Sequence, residues 1–216
     1  MSTSPHSVQL VHHTVNGDEL VSYMARVSNP SNQHNTETSA KLIKYLITHK
    51  HWSPFEMVNM CVEINTTRSI AAQILRHRSF SFQEFSQRYA DATQLGEPVM
   101  PELRLQDHKN RQNSVEMEQR NLFLEAEIHA SLTYAHNVYQ KLLEAGVAKE
   151  CAREVLPMSS PTRLYMNGTL RSWIHYTDLR TANGTQKEHK QIALGVKELI
   201  KDCFPSVFDA VWTVEN

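Results

Sequence analysis

The feature that most constrains the fold is a change of period in the middle of the chain. At Val58, Met60, Val62 and Ile64, apolar residues alternate with Asn59, Cys61, Glu63 and Asn65. This is the period of two of a strand with one face on a core. The neighbouring apolar runs repeat at helical spacing instead. Leu20, Val21, Met24 and Val27 predict a helix over 18–27, ended by the breaker-rich Ser28-Asn29-Pro30-Ser31-Asn32, and Ala40, Ile43, Leu46 and Ile47 predict another over 36–50. A half-buried strand set among amphipathic helices needs those helices as its cover. The expected class is therefore α+β, with helices packed around an antiparallel or mixed sheet.

Beyond the strand, Ile70, Ile74 and Leu75 restore helical spacing over 67–75 and deliver the chain into Arg76-His77-Arg78. Residues 95–111 are polar, carry Pro98 and Pro101 and show no period, which predicts a long surface loop. A long helix is expected over 114–145 through Val115, Leu122, Ala126, Leu132, Tyr139 and Leu142, closed by Gly146. A shorter helix over 148–156 stops at Pro157, Leu164 and Met166 suggest a second strand, and helices are expected over 169–179 and 186–201. Trp173 and Ile174 fall on the apolar face of the first of these and are expected in the core.

With 216 residues and 40% apolar composition the chain can bury one sizeable core, so a single domain over 1–216 is expected. Its 22 basic and 23 acidic residues leave a formal charge of −1, so affinity for an anion has to come from local clustering. No run approaches the roughly 18 uninterrupted apolar residues of a membrane span, and the opening MSTSPHSVQL lacks a signal peptide's apolar centre. A soluble, cytoplasmic protein is expected. Cys61, Cys151 and Cys203 form no Cys-x-x-Cys pair and are expected as reduced, mostly buried thiols. Twelve histidines show no His-Glu-x-x-His spacing, so no metal is expected.

Local clustering is found between residues 68 and 88, which hold four arginines, no lysine and one acid, Glu84. A planar guanidinium offers paired donors that match phosphate or carbonyl oxygens, where an ammonium is a point charge. Arg76 and Arg78 flank His77, hydroxyl donors follow at Ser79, Ser81 and Ser86, and Phe80, Phe82 and Phe85 supply apolar walls. The mixture suits a nucleotide or an aromatic cofactor with a phosphate tail. Taken by residue type alone, the segment also fits a solvated basic face at a helix exit, or a grip on single-stranded nucleic acid. The neutral total charge and Glu84 weigh against the last.

The run from Arg76 to Tyr89, RHRSFSFQEFSQRY, resembles the R-H-R-x(7)-S-x-R motif of the flavin-dependent thymidylate synthases at every fixed position. Flanking segments are similar as well: His51-Trp52-Ser53-Pro54-Phe55-Glu56 upstream, then Arg153 with Leu156-Pro157, and the stretch from Arg171 to Arg180. The resemblance covers about 20–205 and implies a homotetramer with active sites shared between subunits, FAD as cofactor, and NADPH and 5,10-methylenetetrahydrofolate as co-substrates in the reductive methylation of dUMP to dTMP. No nucleic-acid or membrane partner is implied. By the same resemblance FAD is held by Ser28, Ser53, Glu56, Arg76, His77, Arg78, Gln83, Glu84, Arg171 and His175. The nucleotide is held by Gln73, Arg76, Glu84, Phe85, Ser86, Arg88, Arg153 and Arg180. Arg88 and Arg180 would stabilise charge on the uracil carbonyl oxygens, His51 would join a polar relay, and Ser86 is expected to bind rather than attack, since a serine nucleophile needs a base beside it. The chain departs from the common pattern at Gly184-Thr185-Gln186, where His-Ala-Gln is frequent, and at Gln83 and His175, where Asn is frequent.

Overall fold

In the computed structural model, which describes residues 5–213, the alternating segment is an inner strand of an antiparallel sheet. In chain order the elements are β1 (Ser7–His13), α1 (Gly17–Ala25), α2 (Ser39–Thr48), β2 (Asn59–Thr67), α3 (Arg68–Ile74), β3 (Ser81–Glu84), β4 (Arg104–Gln106), β5 (Ser114–Glu116), α4 (Leu122–Glu144), α5 (Lys149–Ala152), β6 (Pro161–Thr169), α6 (Leu170–Thr181), α7 (Lys187–Cys203) and α8 (Pro205–Phe208), with short 3-10 turns between some of them. The main sheet runs β1-β2-β6-β3 with every neighbour antiparallel, and β4 and β5 form a separate hairpin.

Register explains the core. Val62 lies opposite Met166 and Ile64 opposite Leu164, and these four side chains, with Met60, are fully buried on one face. Against that face pack Leu170, Trp173 and Ile174 of α6 and Ile192, Val196 and Ile200 of α7. Each such aliphatic or aromatic side chain contributes roughly 1.5–3 kcal/mol on burial. The Trp173 indole is satisfied inside the core by donating to the Met60 carbonyl at 2.8 Å. Close approach depends on two glycines: a Cβ on Gly195 would meet Val8 at 2.4 Å, and one on Gly168 would meet the Phe80 ring at 2.4 Å. The other face of the sheet carries Glu63, Asn65, Arg163 and Tyr165 and is not covered in the same way.

A smaller cluster joins Ala92, Tyr139 and Ala152 under α4, with the Tyr139 hydroxyl accepting from the Ala92 amide at 3.0 Å. Tyr139 is the one buried residue of α4, whose Leu122, Phe123 and Tyr134 stand 69–73% exposed. Among the described residues no helix is long and apolar enough to cross a membrane.

Several expectations are corrected. Residues 95–111 are not wholly irregular: 104–106 form β4 and pair with β5. The long helix starts at Leu122 rather than 114, because the Asn121 side chain accepts from the Leu124 amide and caps it there. The helix over 148–156 is one short α-turn followed by a 3-10 turn at Arg153–Val155. The thiols are not mostly buried: Cys61 is, Cys203 is half-buried and Cys151 is exposed. β1 and β3 were not anticipated at all.

Candidate functional site

The arginine motif is built by a helix exit that turns into an edge strand. α3 ends at Ile74, and the amides of Arg76 and His77 bond back to Gln73 and Ile74 at 3.4 and 3.1 Å. A turn from His77 to Phe80 then leads into β3, whose Phe82 pairs with Met166 and whose Gln83 pairs with Tyr165. Alternation turns Phe80 and Phe82 onto the core and leaves Ser81 and Gln83 exposed. The Phe80 ring meets Trp173 edge-on, with centroids 4.6 Å apart. Beyond β3, the Ser86 carbonyl accepts from the amides of Tyr89 and Ala90, making the turn that presents Arg88.

At the centre, Arg180 at the end of α6 reaches across to donate from Nε to Nε2 of His77 at 2.9 Å. Burial, then the adjacent guanidinium, pull His77 down to about 4, so its ring is neutral with the proton on Nδ1. One N–H of Arg180 is thereby committed, and its two terminal amino groups, without a hydrogen-bond partner among the described residues, are available to a ligand. Behind this pair lies fully buried His189, pulled down to about 3 by burial and then by Arg180 and His77. It lies 3.1 Å from the Tyr176 hydroxyl and 3.3 Å from the Gln73 side-chain oxygen. Burial pushes the Tyr176 phenol well above its ordinary value.

The remaining candidates fall into satellite groups. Glu84 accepts from Arg68 at 2.6 Å and from Thr162 at 2.9 Å through one oxygen, and its other oxygen has no partner among the described residues. Arg88 pairs with Glu150 of α5 at 3.1 Å with both side chains half exposed, an interaction worth about 0–1 kcal/mol and readily exchanged for a ligand. Arg171 pairs with Glu56, and His175 packs on Trp52 with ring centroids 4.7 Å apart, so α6 carries the Trp52–Glu56 segment toward the motif. The Ser172 hydroxyl donates to the Ser79 carbonyl at 3.4 Å and ties α6 to the same turn. Ser53 is exposed at the start of the Ser53–Met57 turn, and Phe85 is half-buried with its amide on the Arg163 carbonyl. His51 is exposed, with Tyr45 and His49 as its ring neighbours, and Ser28 is exposed in the loop after α1, so neither is drawn into the central group. No base bonds the Ser86 hydroxyl among the described residues. Tyr89 is 78% exposed, its ring 5.8 Å from the Arg88 guanidinium.

The donor set suits an anionic aromatic ligand. Arg76 and Arg78 are exposed and make no ion pair among the described residues, the buried Gln87 Nε2 has no hydrogen-bond acceptor among them, and Arg153 Nε makes a 3.5 Å contact with the exposed Glu154 carboxylate. These groups fit the phosphates of a nucleotide or flavin, whereas Phe80 and Phe82, expected as apolar walls, pack on the core instead. Sequence reading missed Tyr176, His189, Gln186, Thr162 and Glu150. Only the i, i+3 spacing of Gln186 and His189, which places them on one helix face, hinted at any of them.

Residues 9–206 match the family described as thymidylate synthase complementing protein. The probable flavin-dependent thymidylate synthase of Paramecium bursaria Chlorella virus 1 is 52% identical over 196 residues, covering 90% of each chain. The flavin-dependent thymidylate synthase of Synechocystis is 49% identical over 195 residues, covering 89% of this chain and 88% of that one. Among solved structures, the UMP/dUMP methylase PolB from Streptomyces cacaoi bound with 5-Br dUMP superposes with a TM-score of 0.80 at 27% identity, covering 95% and 94% of the two chains. The chain belongs to the family of flavin-dependent thymidylate synthases, the thymidylate synthase complementing proteins.

Proposed function

We propose that this chain, a single domain whose active sites are shared between subunits, methylates dUMP to dTMP with FAD as its flavin, NADPH as reductant and 5,10-methylenetetrahydrofolate as carbon donor. The observation that carries the reading is the joining of Arg180 to His77 at 2.9 Å, which brings a residue assigned to the nucleotide against one assigned to the flavin. In this reading Arg76, His77 and Arg78 hold the flavin with Ser28, Ser53, Glu56, Gln83, Glu84, Arg171 and His175. Gln73, Arg76, Glu84, Phe85, Ser86, Arg88, Arg153 and Arg180 hold the nucleotide. When bound, reduced flavin supplies the hydride that completes the methyl group.

The protein's own contribution is orientation and charge. Attack of uracil C5 on the one-carbon unit of the folate involves charge that builds on the carbonyl oxygens. The free amino groups of Arg180 and the displaceable guanidinium of Arg88 stabilise it there. Neutral His77 accepts from Arg180 without adding a competing positive charge, so the guanidinium is held by geometry alone. Ser86 binds through its hydroxyl, and His51 joins the site only when a neighbouring subunit brings it there.

The reading includes a homotetramer, in which one chain's exposed arginines are closed over by another. The exposed Leu122, Phe123 and Tyr134 of α4 and the uncovered face of the sheet support it. It also has the protein working in solution in the cytoplasm. The test is the visible spectrum of purified protein after incubation with FAD and removal of excess. Retained flavin bands that bleach anaerobically with NADPH, followed by dTMP formation from dUMP and methylenetetrahydrofolate, are expected. A colourless protein that binds single-stranded nucleic acid in a salt-dependent manner would overturn the reading.

A further inference from the structure

We infer that His189 is a positioning residue: it locks the orientation of the Gln73 side-chain amide, so that one N–H of that amide is held ready for the nucleotide. The inference rests on Gln73 belonging to the nucleotide site. Among the described residues His189 makes its hydrogen bonds to Gln73 and Tyr176 rather than to Arg88 or Arg180, and it acts through Gln73.

Hydrogen-bond direction carries the argument. The Gln73 Oε1 atom has no hydrogen, so His189 Nδ1, 3.3 Å away, donates to it. The imidazole is neutral, fully buried beside Arg180 and His77, and with its proton on Nδ1 its Nε2 carries a lone pair. The Tyr176 hydroxyl, 3.1 Å from Nε2, therefore donates to the ring. At the other end Gln73 Nε2 donates one hydrogen to Gln186 Oε1 at 2.7 Å. The result is a chain of bonds running one way, from Tyr176 on α6 through His189 on α7 and Gln73 on α3 to Gln186.

Such a chain fixes what Gln73 presents. Turning its amide over would set NH2 against the imidazole N–H and oxygen against the Gln186 oxygen, and relieving both mismatches would require the buried imidazole to change tautomer and the exposed Gln186 amide to turn over as well. Held as it is, Gln73 keeps a second N–H with no partner among the described residues. It stands on the last turn of α3, three residues before Arg76. That is a single directed donor, suited to a carbonyl, hydroxyl or phosphate oxygen of a nucleotide.

The test is the dissociation constant for dUMP, measured by titration calorimetry on the FAD-loaded protein and on three variants, with melting temperatures alongside. In His189→Asn the side-chain nitrogen branches where Nδ1 does and keeps the bond to Gln73. In His189→Gln the terminal group reaches the Nε2 position and keeps only the bond to Tyr176. His189→Leu keeps neither. Expected are a weakening of dUMP binding by about tenfold in the Leu and Gln variants and by less than about threefold in the Asn variant, the size of one oriented hydrogen bond. Equal loss in the Asn and Gln variants, tracking their melting temperatures, would mean that His189 is structural only and would overturn the inference. So would wild-type affinity in the Leu variant; if that variant does not fold, the Asn and Gln pair decides. Wild-type protein that binds no dUMP would instead refute the nucleotide reading of the site, and the positioning role with it.

Discussion

Replacing Gly168 by alanine tests whether the arginine motif is held in place by core packing. The added methyl would lie 2.4 and 2.6 Å from two carbons of the Phe80 ring and 3.3 Å from a third. Carbon atoms rest at about 3.5–4.0 Å, so the ring has to retreat by about 1 Å. It has little room to do so, because Trp173, Tyr176 and Phe82 surround it with centroids 4.6, 5.9 and 6.3 Å away. The retreat is therefore passed to the backbone of 76–80, which carries Arg76, His77 and Arg78. Overpacking of this kind costs about 1–3 kcal/mol in stability. A displacement of about 1 Å at a reacting centre can cost about 100-fold in rate. Stability would be read by urea denaturation and rate by dTMP formation from dUMP, for Gly168→Ala, Phe80→Leu and the double variant. Because the clash exists only when both groups are present, the double variant should recover part of the loss of Gly168→Ala rather than add to it. Two strictly additive penalties, or a Gly168→Ala protein within about 0.5 kcal/mol and about twofold of wild type, would refute the coupling of packing to the motif.

The buried histidines make stability depend on pH. His77 and His189 sit at about 4 and about 3 in the folded protein against 6.5 when exposed, so below 6.5 the unfolded chain binds more protons. Their contribution is complete above about pH 6.5 and is lost as pH falls toward the folded values, by about 1.4 kcal/mol per pH unit for fully buried His189 and less for half-exposed His77. Denaturation curves between pH 6.5 and 4 are expected to flatten in His189→Asn; an unchanged slope would rule out a neutral buried ring. Thr169→Ala removes the hydroxyl that accepts from the Ser172 amide at 3.2 Å and caps α6, at a cost of about 1 kcal/mol. A wild-type melting temperature would show that the cap is idle. Asp18→Ala strips the carboxylate that accepts from the Ser206 and Val207 amides at 2.7 and 3.4 Å, and a loss of about 1–2 kcal/mol is expected by calorimetry. No loss would mean that water satisfies those amides equally well.

Legibility in the sequence followed the range of the interactions. The alternation at 58–64 found β2 because a strand with one buried face writes its period locally. Trp173 and Ile174 announced themselves as core in the same way. β1 did not, because four of its seven residues are exposed and no alternation survives. β3 was hidden inside RHRSFSFQEF, where phenylalanines that look like ligand walls turn out to pack on Trp173 and the sheet. Val115 fits the periodicity of α4 by accident, whereas the Asn121 cap marks its true start. His189 was invisible for another reason: its partners Tyr176 and Gln73 lie on two other helices, and nothing in local spacing records which helices meet.

The pairing of β3 with β6 also makes the length of the motif a structural quantity. Ser81, Phe82, Gln83 and Glu84 lie against Asn167, Met166, Tyr165 and Leu164, so the seven residues between Arg78 and Ser86 act as a ruler laid along the sheet. Removing one would exchange the two faces, driving Ser81 and Gln83 into the core and turning the phenylalanines out to solvent. Removing two would restore the faces but carry Ser86 about 7 Å along the strand. Single substitutions on the outward side of this segment are therefore far gentler changes than any change in its length.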